Sequence, residues 1–352
     1  MKKSLIALAV LASTGAMAQS SVTLYGIVDV NLQSAKSDGL RQTRLQSGGV
    51  SGSRFGLKGM EDLGGGLKAL FVLESGFNAD TGSNRTPGSI FDRQSYVGLA
   101  GGFGEIRLGN TTTAYDDVSI TTDPVFDSIL SPANLVWAQS YNSRPGNTIY
   151  YVSPSFGGLT VAGSYSLGEN KTSTTNDKGV AAANVQYSGG PVYFSIAYQE
   201  SKKADVAYNA ALTTFNAITT VPTAAQNATF AAAGSASRKD TLVQGSYDLG
   251  VAKLLAAYNR NVAADNTKSN QYQIGVDVPV GAALVVSGGY AYSKDKLDGV
   301  SGNKRSAIGI GASYSLSKRT SIYTGLNYGE SKAIDGVKTK ADIYAVGVRH
   351  SF

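Results

Sequence analysis

An apolar–polar alternation with a period of two residues constrains this chain more than any other feature, and it is clearest in the last nine residues. One parity of that segment carries the bulky side chains Tyr344, Val346, Val348, His350 and Phe352. The other parity carries small or polar residues: Ala345, Gly347, Arg349 and Ser351. A period of two predicts a β-strand whose two faces meet different surroundings. A lipid-facing surface with aromatic residues at the water boundary accounts for the bulky face.

Residues 1–18 have the organisation of a secretory signal peptide. A charged start, a short apolar core and a small-x-small cleavage site occupy residues 1–3, 5–12 and 16–18. The apolar core is too short to span a bilayer as a retained helix. Cleavage after Ala18 would leave 352 − 18 = 334 residues and lower the formal charge from +6 to +4. We expect residues 19–352 to form one domain, since no linker or compositional break divides them.

Composition excludes a helical membrane protein. Beyond the leader no run approaches the ~18 apolar residues of a membrane helix, and the mean hydropathy is only −0.09. A membrane barrel remains compatible because only every second residue of a strand must be apolar. The 42 glycines do not indicate disorder, since the chain also has 42% hydrophobic residues and 20 tyrosines. The chain has no cysteine, so hydrogen bonds and packing must stabilise the fold without disulfides.

Turn signals divide the chain into strands. Seven tight connections rich in Gly, Pro, Asp or Ser lie at residues 62–66, 101–104, 154–158, 188–191, 249–252, 279–283 and 316–320. Eight longer polar segments lie at residues 34–50, 78–90, 110–146, 168–179, 201–237, 261–268, 294–304 and 331–338. Fifteen connections predict sixteen strands, and 334/16 is about 21 residues per strand with its connection, which suits tilted strands of roughly 9–11 residues.

The sequence therefore predicts an all-β fold, a sixteen-stranded antiparallel transmembrane β-barrel with short periplasmic turns and long external loops. Closure leaves no strand edge unpaired in lipid, and a barrel of this size holds an aqueous channel. A soluble β-sandwich is the alternative. A sandwich would bury its aromatic residues, and sixteen long strands without a domain break would be unusual for it, so the barrel is favoured.

Alternation also assigns side chains to the two faces of the barrel. Four charged residues alternate with apolar neighbours and are expected in the lumen, where their charges stay hydrated: Arg54, Lys58, Glu74 and Arg107. Four tyrosines are expected in aromatic girdles at the membrane boundaries: Tyr290, Tyr292, Tyr323 and Tyr328. Val97 and Leu99 share the parity of Arg93, which predicts a partly apolar inner wall on which a loop packs.

Several segments resemble the motifs of a known family. Residues 53–59 read Ser-Arg-Phe-Gly-Leu-Lys-Gly and residues 61–69 read Glu-Asp-Leu-Gly-Gly-Gly-Leu-Lys-Ala; together they resemble the early hairpin of Gram-negative general porins. Residues 91–99 and the terminal Arg-His-Ser-Phe are similar to the β-proteobacterial branch of that family. The resemblance covers essentially the whole chain after the leader, although residues 201–237 match no motif. It implies a homotrimer of sixteen-stranded barrels, each with its third loop folded inward to narrow the pore.

The third long segment, residues 110–146, has the character of such a loop. Its 37 residues exceed an ordinary hairpin connection. It carries apolar side chains that a freely solvated loop would not need: Ile120, Phe126, Ile129, Leu130, Leu135 and Trp137. Its acids are Asp116, Asp117, Asp123 and Asp127. The alternative is a large external loop that associates with neighbouring subunits or with lipopolysaccharide.

The resemblance adds Arg93 and Arg144 to the basic residues of the constriction, which then comprise Arg54, Lys58, Arg93, Arg107 and Arg144. The acids of the inserted loop, joined by Glu74, are expected to face these cations and to create a transverse field. Charged groups at close quarters set ion selectivity, and guanidinium charge does not vary with pH. The basic excess predicts a weak to moderate anion preference, which loop acids would oppose. The alternative is that any single arginine is only a solvated residue of the wall.

Other classes of function lack the residues they need. The only histidine, His350, lies on the outward face of the last predicted strand, which disfavours a histidine-dependent barrel hydrolase. No histidine or cysteine cluster exists to hold zinc. The spacing Gly64-x-Gly66-x-x-Ala69 matches a dinucleotide fingerprint, but a strand follows it, so it is a turn. We therefore expect neither an enzyme nor a cofactor.

The sequence predicts a general diffusion porin of the cell outer membrane, through which ions and small hydrophilic solutes pass down their gradients. Two alternatives remain: a substrate-selective porin of the same fold, and a barrel adhesin or enzyme with a plugged lumen. Expected partners are outer-membrane lipid, lipopolysaccharide and the outer-membrane assembly machinery, with Tyr344, Val346, Val348 and Phe352 as the C-terminal assembly signal. Nucleic acid is not expected, because lysine and arginine are dispersed in an exported chain; loop residues such as Lys202 and Lys203 would meet lipopolysaccharide phosphates or water.

Overall fold

The computed structural model describes residues 21–37, 39–137, 141–169, 179–202, 237–263, 267–297 and 300–352. Within these residues the chain forms eighteen strands: β1 Ser21–Ser37, β2 Leu40–Ser47, β3 Arg54–Gly64, β4 Leu67–Asn78, β5 Ser83–Asn84, β6 Gln94–Gly101, β7 Gly104–Asn110, β8 Thr148–Val152, β9 Leu159–Ser166, β10 Val180–Gly189, β11 Val192–Ser201, β12 Arg238–Asp248, β13 Lys253–Val262, β14 Lys268–Val280, β15 Leu284–Leu297, β16 Val300–Ser315, β17 Thr320–Lys332 and β18 Lys338–Ser351. Three short helical turns lie between β7 and β8: α1 Asp116–Ser119, a 3-10 turn Val125–Asp127 and α2 Ala133–Val136.

The strands close into one antiparallel barrel. Each strand pairs with the next along the chain, and β18 returns to pair with β1. Two strands, β2 and β3, both pair with β1 and form the two halves of one interrupted barrel strand. The two-residue β5 pairs only with the end of β4. Counting β2 and β3 once and leaving out β5 gives sixteen barrel strands, which confirms the predicted fold. Closure pairs the backbone groups that an open sheet would expose at its edges.

The seam between β1 and β18 shows how alternation builds the two faces. Val30 lies opposite Val348 on the outer face, and Asn31 lies opposite Gly347 on the inner face. Phe352 continues this register, since its backbone N–H and C=O bond with Gly26 at 3.0 and 3.1 Å. The Phe352 ring covers the outer side of Gly26, where a Cβ atom would collide with it.

Two assignments from the sequence are wrong. Val97 and Leu99 face outward, because Val97 pairs with Phe71 and Leu108 on the outer surface. The parity argument failed because β6 begins at Gln94, so Arg93 is outside the strand. Tyr323 does not lie in an aromatic girdle either. It points into the barrel, is almost completely buried, and bonds to a carboxylate there.

The barrel strands extend beyond two of the predicted loops. Residues 34–50 were expected to be a loop, but most of them continue β1 and form β2. Likewise residues 294–304 mostly continue β15 and β16. These extensions carry polar residues on both faces, so they show no alternation in the sequence. The predicted signal peptide and most of the segments 168–179 and 201–237 lie outside the described residues.

Among the residues that the structure describes, no helix has both the length and the apolar character needed to cross a bilayer.

Candidate functional site

The segment between β7 and β8, called the third loop below, packs along the inner wall of the barrel. Its first part contributes Ala114, Tyr115 and Val118 to a buried apolar cluster. The wall contributes lumen-facing residues from six successive strands, β8 to β13: Tyr150, Ala162, Ala182, Ala197, Leu242 and Ala257. Polar contacts reinforce this packing, since Gln199 accepts a bond from Thr113 Oγ1 at 2.8 Å and Ser164 Oγ accepts one from the Ala114 N–H at 3.0 Å. The first part of the loop is thus held against six of the sixteen barrel strands.

The second part of the loop packs on the stretch of wall that follows, β14 to β18. Its residues Val125, Leu130, Leu135 and Val136 form a second cluster with Ala291, Ala307, Ala341, Ile343 and Ala345 of the wall. The wall also offers a track of lumen-facing glycines that we call the glycine track: Gly275, Gly289, Gly309, Gly311, Gly325 and Gly329. A Cβ atom on Gly311 would come within 2.6 Å of Val125, and one on Gly275 within 2.5 Å of Pro124. Side chains of the loop therefore lie directly against the backbone of the wall at these glycines.

Four arginines lie close together beside the part of the wall that the third loop leaves open, and one of them, Arg144, belongs to the end of the loop itself. Arg54 lies on the inner face of β3, opposite Ile27. The guanidinium groups of Arg93, Arg144 and Arg349 all repel that of Arg54, so the four charges occupy one region. We call Arg54, Arg93, Arg144 and Arg349 the arginine cluster.

Glu74 of β4 is the carboxylate inside this cluster. Arg93 Nε donates to its Oε1 at 2.6 Å, and Arg54 Nε lies 4.0 Å from its Oε2. Tyr25 donates its hydroxyl to Glu74 Oε2 at 3.0 Å. Glu74 is nearly buried, so these donors compensate the loss of its hydration. One carboxylate then holds two arginines side by side and leaves the cluster with excess positive charge.

The acids of α1 approach the arginine cluster from the loop side. Arg144 Nη2 lies 3.5 Å from Asp116 Oδ2, and Tyr141 donates to Asp116 Oδ1 at 2.7 Å. Burial raises the pKa of Asp116, and the positive charge of Arg144 opposes that rise. Asp117 is more exposed and accepts bonds from Thr112 and Tyr150. Asp116 therefore pairs with one cation of the cluster, whereas Asp117 bonds to two hydroxyl groups.

Lys58 and Arg107 have other surroundings. Both lie on the inner faces of their strands, opposite Thr23 and Gly98 respectively. The Lys58 ammonium group lies 5.3 Å from the centre of the Tyr25 ring. Arg107 Nε donates to Glu105 Oε1 at 2.5 Å, and its guanidinium stacks on two tyrosine rings. Glu105 thus offsets the charge of Arg107 locally.

Asp123 and Asp127 lie deeper in the loop, against β14. Asp123 accepts bonds from Ser131 Oγ at 2.5 Å and from Gln273 Nε2 at 2.6 Å. Burial and the charge of Asp123 raise the pKa of Asp127 to about 8. Burial likewise raises the pKa of Asp123 to about 6. Neither acid forms an ion pair with an arginine among the described residues, and the two act as a pair that retains a proton.

A left-handed turn fixes this part of the loop. Val125, Phe126 and Asp127 have φ angles of 59, 67 and 49°, which cost roughly 1–2 kcal/mol per residue for L-amino acids. The Val125 N–H donates to Ser287 Oγ at 2.7 Å, and Ser128 Oγ donates to the Val125 carbonyl at 2.5 Å. Nothing in the residue types predicts three such conformations in succession, since only tertiary contacts maintain them.

The residue that the sequence reasoning missed is Arg349. It pairs with Asp29 and Ser321 on the inner face of the barrel, and its Nε donates to Ser51 Oγ at 3.0 Å. The terminal alternation already put it on the face opposite to Val348. The argument that charged residues alternating with apolar neighbours face the lumen would have identified Arg349 if it had been applied to β18.

The four residues expected to form the assembly signal lie together on the outer face. Tyr344, Val346 and Val348 are half exposed along β18, and Phe352 follows them at the seam with β1. No group of three or more His, Cys, Asp or Glu side chains within the described ranges is arranged to hold a metal ion.

Taken together, these side chains can attract, orient and partly dehydrate an anion passing through the lumen. Their permanent charges act at short range in a region narrowed by the third loop.

Comparison with known proteins agrees with this architecture. Residues 4–334 match the family model described as Gram-negative porin. The chain is 36% identical to outer membrane porin protein 32 of Delftia acidovorans over an alignment of 386 positions, with 100% of both chains covered. It is 27% identical to the major outer membrane protein P.IB of Neisseria meningitidis serogroup B, again with 100% of both covered. Among solved structures, the anion-selective porin from Comamonas acidovorans is similar at 28% identity with a TM-score of 0.76, covering 95% of this chain and 100% of that one.

Proposed function

Because this chain belongs to the Gram-negative porin family and is a β-barrel porin of the outer membrane, we propose that it is a general diffusion channel with a preference for anions. Ions and small hydrophilic solutes cross through the lumen, and the third loop with the arginine cluster forms the sieve.

The single observation that carries the anion preference is the charge balance of the cluster. Among the described residues the four arginines have two carboxylate partners within 4.0 Å: Glu74, which Arg54 and Arg93 share, and Asp116 of the loop, which pairs with Arg144. The excess positive charge stabilises a passing anion and repels a cation. The anion selectivity stated for the similar Comamonas acidovorans porin is in keeping with this balance.

The experiment is single-channel recording of refolded protein in a planar bilayer with a KCl gradient. We expect stable conductance and a reversal potential of the sign produced by chloride permeation. Neutralising Arg54, Arg93 and Arg144 together should shift the reversal potential toward that of potassium. A silent membrane despite verified insertion would refute the channel. A cation-selective wild type would refute the preference alone.

Two alternatives differ in what the same recording would show. A substrate-selective porin would show saturable block of the current by one class of solute. A barrel adhesin or enzyme with a plugged lumen would show no steady conductance. The membership of a porin family argues against the second alternative, since porins are not a class of enzymes.

We further propose that the protein is a homotrimer, as porins of this type are. Conductance should then appear in steps of three. Samples kept unheated in mild detergent should migrate as an oligomer that heating dissociates. A monomer band in such unheated samples would contradict the trimer.

The outer face of β15–β18 suggests contact with phosphate-bearing lipid such as lipopolysaccharide. Directly paired positions carry a row that we call the lysine rank: Lys294, Lys304, Lys332 and Lys338. Like charges directly opposite each other are destabilising. Glu330 pairs with Lys338 at 2.9 Å, and within the described ranges no carboxylate pairs with the other three. The rank lies four residues beyond the outward-facing Tyr290 and Tyr328, about 13 Å along the strand, where lipid phosphates meet water above an aromatic girdle.

The remaining expectations concern export and assembly. We propose that residues 1–18 direct export and are removed, and that the outward face of β18 with Phe352 is read by the assembly machinery. The exposed apolar row of Tyr344, Val346 and Val348 supports this proposal. Mass spectrometry of the outer-membrane form would give the cleavage point, and a mature mass that includes residues 1–18 would refute it.

A further inference from the structure

The interruption between β2 and β3 is a second element that projects into the lumen. On β1, Ile27 pairs with Arg54 and Val30 pairs with Ser47. Residues 48–53, six in number, therefore lie opposite only two residues of β1, Val28 and Asp29. A regular antiparallel pair matches residues one to one, so four residues are surplus and must leave the wall. We call residues 48–53 the inlet.

Asp29 holds the inlet in a defined shape. Its carboxylate accepts the backbone N–H groups of Gly49, Val50 and Ser51 at 3.2, 3.0 and 2.7 Å. Its own carbonyl accepts the Gly48 N–H at 2.8 Å. Four successive N–H groups thus converge on one residue that is completely buried. Charge-assisted bonds of this kind are roughly twice as strong as neutral ones.

The neighbouring strands β17 and β18 add contacts that direct the inlet inward. Tyr323 of β17 donates its hydroxyl to Asp29 Oδ1 at 2.5 Å. A Cβ atom on Gly49 would come within 2.7 Å of the Tyr323 ring, so only glycine permits this approach. Arg349 of the arginine cluster donates to Ser51 at 3.0 Å. Every one of these partners lies on the lumen-facing side of its strand.

The inlet also meets the third loop. The backbone N–H of Ile129 donates to the Gly49 carbonyl at 2.9 Å. Ile129 lies 18 residues beyond Thr111 in a loop that starts at β7, and the intervening loop packs on β8 to β16. Its contact with the inlet joins the loop to the barrel strand that carries Arg54.

We propose that the inlet is a latch for the third loop, and that Asp29 is the positioning residue that keeps the latch closed. The inference rests on the proposed channel function, because the latch acts by holding the loop in the pore. When Asp29 no longer orders the inlet, Gly49 no longer presents its carbonyl to Ile129, and the loop samples positions that change the pore. Asp29 itself touches no solute.

The test compares Asp29→Asn with wild type in single-channel recordings at constant voltage. The amide keeps the size of the side chain but removes its charge and half of its acceptor capacity. We expect the fraction of time spent in altered conductance levels to rise about tenfold, the factor that corresponds to about 1.4 kcal/mol and to one lost charge-assisted bond. Tyr323→Phe removes one donor and leaves the ring, so it should show a smaller rise in the same direction.

The matched control is Asp248→Asn. Asp248 also accepts a backbone N–H, from Gly250 at 2.8 Å, but it lies at an exposed turn away from the inlet. It should leave the current unchanged. The latch is refuted if Asp29→Asn or, where that variant fails to fold, Tyr323→Phe gives folded barrels whose current noise matches that of Asp248→Asn. Because the wild type conducts in that case, the proposed channel function survives such a result.

Discussion

At the scale of single residues, the effect of a charged side chain in the lumen depends on its neighbours as well as on its charge. Arg54 and Arg107 have the same side chain and both point inward, yet Glu105 pairs with Arg107 on its own strand. Arg54 instead shares Glu74 with Arg93 and faces two further arginines. The excess charge that acts on a permeating ion is therefore concentrated in the arginine cluster.

Arg349 is the member of the cluster whose contribution is easiest to separate. Arg349→Gln should lower the permeability ratio of chloride to potassium roughly twofold, since one charge a few ångströms from the ion path in a hydrated lumen contributes a fraction of a kcal/mol. Reversal potentials in a KCl gradient measure the ratio. Arg349→Lys keeps the charge and should retain the selectivity.

Arg260, an exposed residue on the outer face of β13, provides the matched control for this prediction. Arg260→Gln removes the same charge on the far side of the barrel from the cluster and should change the ratio little. Equal effects of Arg260→Gln and Arg349→Gln would mean that overall charge, and not the cluster, sets the selectivity.

At the scale of elements, the second part of the third loop can lie close to the wall because glycines line the wall along its path. The glycine track lets Pro124 and Val125 approach the backbone of β14 to β16. The same loop carries three residues with left-handed backbone, so its packing must offset that cost. A loop of ordinary polar composition would not have this contact area.

Neighbouring glycines on β15 allow a clean test of the track. Gly289 faces the loop, where a Cβ atom would come within 2.9 Å of Pro124 Cβ. Gly288 faces outward, and its nearest atom would be 3.7 Å away. Gly289→Ala should therefore cost about 1–3 kcal/mol by overpacking and alter the conductance. Gly288→Ala should leave both thermal stability and conductance nearly unchanged. Identical behaviour of the two variants would contradict the close packing.

The raised pKa values of the Asp123–Asp127 pair predict that docking of the third loop depends on pH. Burial raises both pKa values, that of Asp127 to about 8 and that of Asp123 to about 6. A carboxyl group whose pKa is raised in the docked loop stabilises the docked state most when it is protonated. Docking of the third loop should therefore weaken as pH rises through about 6 to 8. Asp116 of the loop and Asp277 of β14 act in the same direction.

We expect current fluctuations of the wild type to increase between pH 6 and pH 8. Asp127→Asn should abolish that increase, because an amide cannot lose a proton. Single-channel noise measured over this range checks the prediction. An unchanged pH profile in Asp127→Asn would show that other groups titrate.

At the scale of the whole molecule, the residue types on the outer surface of the barrel change along its axis. Along β16 and β17, apolar residues at Ile310 and Leu326 give way to Ile308 and Tyr328, then to polar residues and the lysine rank. The order matches hydrocarbon, interface and headgroup layers. Four lysines at one height repel each other unless an anionic partner neutralises them.

Neutralising the centre of the rank tests for that partner. Lys304→Gln with Lys332→Gln should weaken binding of purified protein to lipopolysaccharide-containing vesicles about thirtyfold, since each lysine near an anionic surface contributes about 1 kcal/mol. Sedimentation with the vesicles measures it. Lys318→Gln with Arg319→Gln, at an exposed turn between β16 and β17, should have little effect. Equal losses of vesicle binding in the two double variants would mean that overall positive charge, and not the lysine rank, causes the binding.

The predictions from sequence succeeded where the signal is local and failed where contacts are distant. The predicted turns at residues 101–104 and 316–320 match connections between strands, because turn residues act on their own neighbours. Arg93 misled the parity argument, because nothing local marks the start of β6. Tyr323 was assigned to a girdle by residue type alone, whereas its partner Asp29 lies 294 residues away.

The sequence by itself determined the barrel: the number of strands, most of the side-chain faces and the membrane location follow from alternation and turn residues, which are local signals. Only the tertiary structure decided which charges meet, how the third loop crosses the lumen and what the inlet does. Glu74 gathers arginines from separate segments, and Ile129 of the loop bonds to Gly49 of the inlet. Such contacts depend on closure of the barrel, which brings together residues that no local pattern relates.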